Sequence, residues 1–234
     1  MSTPRTKPAP ARAASRSRKG AAPRRRLAPA DRRRELVRVA GAILTRDGVD
    51  AVQFARVAEA AGVTRPLVYK FFDSRQALII AVLEDFATEL AERFGRGAMR
   101  TIPGSNAEVA RVFVQAVCDT IEQRGAGPWH LLDAKGPDPL IARRGQEILD
   151  AIVAPWQARI AAAAGTTERE AATLARMIVA AGRAVLELWC NGVLTREEAV
   201  RDTTRGVSAL VDGFRSPAGT PRRRRTARPE TRRS

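Results

Sequence analysis

From Asp31 onward, apolar residues recur with the period of an α-helix. Leu36, Val37, Ala40, Ile43 and Leu44 form one stripe, which ends near Gly48, a suitable C-terminal cap. Phe54, Val57 and Ala58 mark a second helix from Gln53 to Ala61. Gly62 then supplies a residue able to take φ > 0, Val63 turns back toward the core, and a third helix runs from Thr64 to about Phe72. Two short helices joined by a tight turn predict a helix-turn-helix, whose second helix suits the DNA major groove.

The helical period continues to the end of the body. Asp73 and Gln76 form a D-x-x-Q variant of the capping box, predicting a fourth helix that carries Leu78, Ile79, Val82, Leu83, Phe86 and Leu90 toward a break at Gly95 to Gly97. Ser105 with Glu108, Thr167 with Glu170 and Thr195 with Glu198 have the S/T-x-x-E spacing just ahead of apolar periodic runs, so each predicts a helix start. Pro139 to about Ala164 reads as another long helix, with Leu140, Ile141, Ile148, Leu149, Ile152 and Ile160 apolar and Pro155 expected to kink it. No alternating strand-type run of useful length interrupts this, so the fold class is all-α.

Composition divides the chain further. Of the 234 residues 44% are hydrophobic, enough for a sizeable core, and the formal charge is +16. Nearly all of that excess lies at the ends: residues 1–30 hold nine Arg or Lys and no acid, and residues 216–234 hold seven Arg and one Glu. Both segments are expected to be disordered basic tails, because they cannot bury enough apolar surface to offset the entropy of ordering. Their arginines could touch DNA phosphates without sequence preference. Residues 31–75 carry +3 and residues 76–215 carry −2, so a basic front faces polyanions and the body does not. No apolar run approaches a membrane span, and Cys118 and Cys190 lack metal-ligand spacing. The expected location is cytoplasmic and nucleoid-associated, with no membrane partner, no zinc or other metal, and no cofactor.

The segment from Arg33 to Val82 resembles the TetR family of bacterial transcriptional regulators. The resemblance rests on DGVDAV, VAEAAGV and TRPLVYKFFDSRQAL, with Ala58, Gly62, Val63, Tyr69, Phe72 and Leu78 at family-like spacing. It implies a three-helix DNA-binding head over residues 31–78 and a helical effector-binding and dimerisation body over residues 79–215. Val52 and Gln53 stand where the family often has a threonine pair, leaving the Gln53 amide to reach a phosphate. Arg75 replaces a usual lysine, which keeps a cation and permits a two-pronged grip. Phe71 stands where histidine or tyrosine is common, which removes a hydrogen-bonding group.

Within the reading helix, Thr64 is expected to cap the N-terminus beside a phosphate, with Pro66 tolerated in the first turn. Arg65 is assigned to a guanine edge or adjacent phosphate, Tyr69 and Lys70 to phosphates, and Leu67 to a thymine methyl. Val68 and Phe72 are expected to face the core.

In the body, the segments Thr167 to Asn191 and Arg196 to Phe214 are expected to pair across a homodimer, as the resemblance implies. The small residues Ala171, Ala172, Ala175, Ala180, Ala181, Gly182 and Ala184 permit close helix contacts there. Phe113, Cys118, Trp129, His130, Leu132, Trp156, Met177 and Trp189 are the candidates for lining a small-molecule site, for which a mostly apolar effector fits best. The leading expectation is a homodimeric repressor released from an approximately palindromic operator by such an effector, with activation as an open variant. A non-specific DNA-coating protein acting through the tails is the alternative. An enzyme has little support, since no phosphate loop, metal cluster or nucleophile–base signature is visible.

Overall fold

A computed structural model describes residues 28–101, 105–132 and 138–215. Among these, all regular structure is helical: α1 (Pro29–Asp47), α2 (Phe54–Ala61), α3 (Arg65–Phe71), α4 (Arg75–Thr101), α5 (Asn106–Arg124), α6 (Gly127–Leu131), α7 (Pro139–Ala164), α8 (Glu168–Cys190) and α9 (Arg196–Phe214), with a single 3₁₀ turn at Val49–Ala51. The all-α class is as the periodicity predicts. The expected basic tails lie outside the described residues except at 28–30, where Pro29 and Ala30 already belong to α1.

Local chemistry explains most helix ends. Ser105, Thr167 and Thr195 each accept the backbone N–H of the glutamate three residues on, and that glutamate reaches back to the cap's own N–H. All three capping boxes therefore form as the spacing predicts. The backbone N–H bonds hold the Glu108 and Glu198 carboxyls below their ordinary pKa. Asp138 caps α7 by accepting from Leu140 and Ile141 at 3.1 and 3.2 Å.

Three expectations need correcting. The cap of α4 is Ser74, whose hydroxyl accepts the Ala77 N–H at 3.0 Å, so the proposed Asp73–Gln76 box is displaced by one residue. Nor does α4 break at Gly95 to Gly97; it runs on to Thr101. Phe94 and Ala98 flank those glycines on the buried face, and a side chain at Gly97 would run into Val112 of α5. Gly97 marks a close helix approach, and the burial around it outweighs a glycine's weak helix propensity. Leu140, counted in the apolar stripe of α7, is exposed. The helix α7 itself passes through Pro155 to Ala164 without ending.

Head and body share one core. Its buried residues run continuously from Leu36, Val57 and Val68 in the head, through Leu78, Ile79, Leu83, Phe86 and Leu90 of α4, to Val117, Trp129 and Leu186 in the body. A second, smaller cluster joins Ala164 and Leu174 to Val207 and Val211. Around α4, the body is built by packing α4 on α5 and α7, α5 on α9, and α7 and α9 on α8. Arginines tie the layers at their rims: Arg124 reaches Asp85 at 3.0 Å, Arg144 reaches Glu84 at 2.9 Å, and Arg196 pairs with Asp119. Partly exposed pairs of this kind contribute about 0–1 kcal/mol each and serve mainly to fix register.

The short helix α6 was not anticipated. It seats between α1 and α4, and glycine permits the approach: a Cβ on Gly127 would lie 2.8 Å from the Thr45 Cα and backbone nitrogen, and one on Gly125 would strike the Thr45 side chain. Gly95, by contrast, is exposed within α4 and faces open space. Gly127→Ala is expected to lower stability by more than about 1 kcal/mol, whereas Gly95→Ala should raise it by about 0.5–1 kcal/mol. Denaturant midpoints of the two variants would check both signs.

Candidate nucleic-acid interface and effector cavity

The turn between α2 and α3 follows from Gly62. With φ 60° and ψ 41° it takes the left-handed conformation that the sequence pattern requires of it. Its N–H donates to Glu59 at 3.0 Å, and the Val63 N–H donates to Ala58 at 2.9 Å, completing a Schellman cap. The chain thereby reverses tightly enough for α3 to lie across α2.

Helix α3 is anchored on one side and open on the other. Val68 and the following Phe72 are buried, as the sequence predicts. Thr64, Arg65, Pro66, Tyr69 and Lys70 are exposed, while Leu67 and Phe71 are half-buried. Tyr69, 50% exposed, sets its ring edge-on against Phe54 at 4.7 Å. The Arg65 guanidinium lies 5.6 Å from the Tyr69 ring centroid and donates to the Tyr69 hydroxyl at 3.2 Å. Arg65 and Tyr69 thus form one polar, planar unit on the outer face of α3. Beyond them Lys70 extends into solvent.

Three expected contacts take a different form. Thr64 occupies the cap position of α3, yet its hydroxyl accepts no backbone N–H. The usual donors are missing: Pro66 has none, and the Leu67 N–H is taken by the Thr64 carbonyl at 3.0 Å. Arg75 turns inward, donating from Nε to the Val52 carbonyl at 3.0 Å and from Nη2 to the Val49 carbonyl at 2.5 Å, with Asp50 at 3.4 Å. Its fork clamps the 3₁₀ turn ahead of α2 to the start of α4. Gln53 also stays local, donating to the Asp50 carbonyl at 3.0 Å, though it remains exposed.

In the body, a cavity of about 130 Å³ lies among α4, α5, α6, α7, α8 and α9. Phe94, Phe113, Trp129 and Trp156 supply its aromatic wall; Phe94 meets Phe113 edge-on at 5.2 Å and Trp156 at 4.7 Å. Of the eight sequence candidates, Phe113, Trp129 and Trp156 line this space and the other five do not. Cys118 and Leu132 are fully buried in the main core. His130 is exposed, Met177 is 40% exposed on the outside of α8, and Trp189 packs on the main core. The sequence reading missed Phe94, Asn106, Arg159, Arg183 and Thr203, which do line it. A usable signal existed: Arg183 interrupts the apolar series Val179, Gly182 and Leu186, and Arg159 follows Trp156 on the same face of α7.

Comparison with known proteins identifies this arrangement. Residues 36–82 match the model of the bacterial regulatory proteins, tetR family. A TetR-family transcriptional regulator from Streptomyces coelicolor superposes with a TM-score of 0.61 at 23% identity, covering 79% of this chain and 82% of its own. A TetR-like transcriptional regulator from Rhodococcus sp. RHA1 gives 0.63 at 17% identity over 80% of this chain and 96% of its own. The fatty acid degradation regulator FadR from Bacillus halodurans gives 0.63 at 14% identity over 82% of this chain and the whole of its own. No curated protein matches the chain. Residues 36–82 thus resemble the TetR family in sequence, and head and body together share the fold of these regulators. Among the described residues no helix is long and apolar enough to cross a membrane.

Two outcomes follow from these side chains. Arg75→Ala removes a clamp on the Val52 carbonyl and on the Val49 carbonyl, which also accepts the Val52 N–H, and should cost about 1–2 kcal/mol of stability, whereas Lys70→Ala should leave the melting temperature unchanged. Burial pushes the Cys118 thiol up from 9.0 to about 12, so the stability tied to its neutral form is intact below pH 9 and is lost as pH climbs from there toward 12. At pH 8, iodoacetamide should spare Cys118 in the folded protein and modify it in guanidinium, as peptide mass mapping would show.

Proposed function

We propose that the protein is a homodimeric transcriptional repressor that leaves an approximately palindromic operator when a small, mostly apolar effector enters the body cavity. The observation that carries this reading is the two-sided character of α3: Val68 holds it to the core, while Arg65, Tyr69 and Lys70 are exposed. In the major groove, Arg65 reads a guanine edge, and Tyr69, Lys70 and the Thr64 hydroxyl meet phosphates. Gln53, exposed at the start of α2, reaches a further phosphate. Arg75 serves first to hold the head together.

Dimerisation is supported by α8. Met177, Ala181, Ala184 and Leu188 recur on its solvent side, and α9 offers the small residues Gly206, Ala209 and Gly213. An exposed apolar stripe beside small residues suits pairing with a second copy about a two-fold axis. Such a dimer spaces its reading helices by about one DNA turn, roughly 34–36 Å.

Effector coupling is supported by α6. Trp129 lines the cavity from this helix, whose other end rests on Thr45 of α1 in the head. An effector acts only if it binds the arrangement incompatible with DNA better than the compatible one. Movement of α6 and α4 then changes the orientation of the two heads.

Selection of bound fragments from the organism's own genome should yield inverted half-sites whose centres lie one turn apart. On such an operator Arg65→Ala should weaken binding by about 1–3 kcal/mol and relax base preference at one position per half-site. Unchanged preference would remove Arg65 from the reading set. Light scattering at micromolar concentration should give a dimer mass; a monomer would overturn the two-fold reading. Deletion of residues 1–27 and 216–234 should reduce the salt dependence while keeping operator preference, the opposite of what a DNA-coating protein would do.

A further inference from the structure

The proposal developed here rests on the reading of the body cavity as the effector site and adds the chemical class of its occupant. Its volume of about 130 Å³ is close to the roughly 150 Å³ of an apolar cavity known to hold benzene. Four aromatic rings, those of Phe94, Phe113, Trp129 and Trp156, favour a planar guest. Charge at the wall is all of one sign. Arg159 and Arg183 line the space, and among the described residues no Asp or Glu does.

A polar group sits beside them. Thr203 is 5% exposed, lines the same cavity, and its hydroxyl has no hydrogen-bond partner. It neighbours the Arg183 turn of α8: a Cβ on Gly182 would lie 3.4 Å from the Thr203 methyl. Arg183 also stacks its guanidinium 5.0 Å from the Trp129 ring centroid, so the charge is presented at the edge of the aromatic wall. The same arginine borders an outer groove of about 710 Å³ between α7 and α8.

We propose that the cavity binds a small aromatic carboxylate, with its ring against Phe113, Trp129 and Trp156 and its carboxylate on the Arg183 guanidinium and the Thr203 hydroxyl. A carboxylate enters an apolar space only when its charge is matched and its oxygens are hydrogen-bonded. Arg183 offers the matching charge and a planar fork, Thr203 offers an O–H, and Arg159 adds a second positive charge to the wall. A cation of the same shape would meet two like charges. A neutral isostere would fill the ring site and forgo the ionic bond.

Benzoate, benzamide and benzylamine share one ring and differ in charge, which makes them direct probes with the full-length protein at pH 7. Calorimetric titration, with Trp fluorescence as a second signal, should show benzoate binding about tenfold more tightly than benzamide, and benzylamine most weakly. Arg183→Gln should abolish the acid-over-amide preference while leaving benzamide affinity within about twofold, a change that a loss of packing alone would not give. Thr203→Val, nearly isosteric, should weaken benzoate about threefold. Equal affinity for benzoate and benzamide in the wild-type protein, or a preference for benzylamine, would overturn the proposal without recourse to any variant. Failure of all three probes at millimolar concentration would overturn it as well. Naphthalene and indole separate that result from the broader reading: if either binds in the cavity and releases DNA, the effector site stands and only its preference for acids falls.

Discussion

Helix α4 has to satisfy two sets of neighbours with one apolar face. Its first turns carry Leu78, Ile79 and Val82 into the head, and its later turns carry Phe86, Leu90 and Phe94 into the body. Because those residues belong to a single buried cluster, the head is not an independent bead on a flexible link. At roughly 1.5–3 kcal/mol for each fully buried large side chain, shearing head from body would expose far more apolar surface than any rim ion pair could offset. Relative motion of the two must therefore be small and concerted, through tilting of packed helices.

The outer face of α3 is organised by few groups. Gly62 sets the turn, Phe54 supports the Tyr69 ring, and Tyr69 in turn holds Arg65. Each step uses a contact with defined geometry, and none depends on high local charge. The excess charge resides in the terminal segments and not on this helix.

Most of the architecture could be read from the residues alone because its signals are local. The three capping boxes, the left-handed Gly62 and the stripes of α1, α2 and α3 depend on neighbours within four or five positions, and they form as expected. The misses arise where distant segments decide. Gly95 and Gly97 look like a helix end, but α5 closes over Gly97 and buries the adjoining face. Arg75 looks like a free cation, but carbonyls 23 and 26 residues earlier capture it. Among the cavity candidates, aromatic residues were recognisable from type, whereas Arg159, Arg183 and Thr203 acquire meaning only when α7, α8 and α9 bring them to one space. Cys118 and Leu132 share the composition of a pocket wall but lie where packing leaves no room.

The seat of α6 on Thr45 can be considered as a mechanical bearing. Gly127 lets backbone meet backbone and Gly125 packs directly on the short Thr45 side chain, so there is little backlash at that contact. A displacement of a few tenths of an ångström at Trp129 would ordinarily be absorbed by soft side chains along its route. Here the route is one helical turn long, and its far end is the main chain of α1. Such a joint favours a fast, stiff response of small amplitude, and it makes the permissible bulk at position 45 a property of the body as much as of the head that contains it.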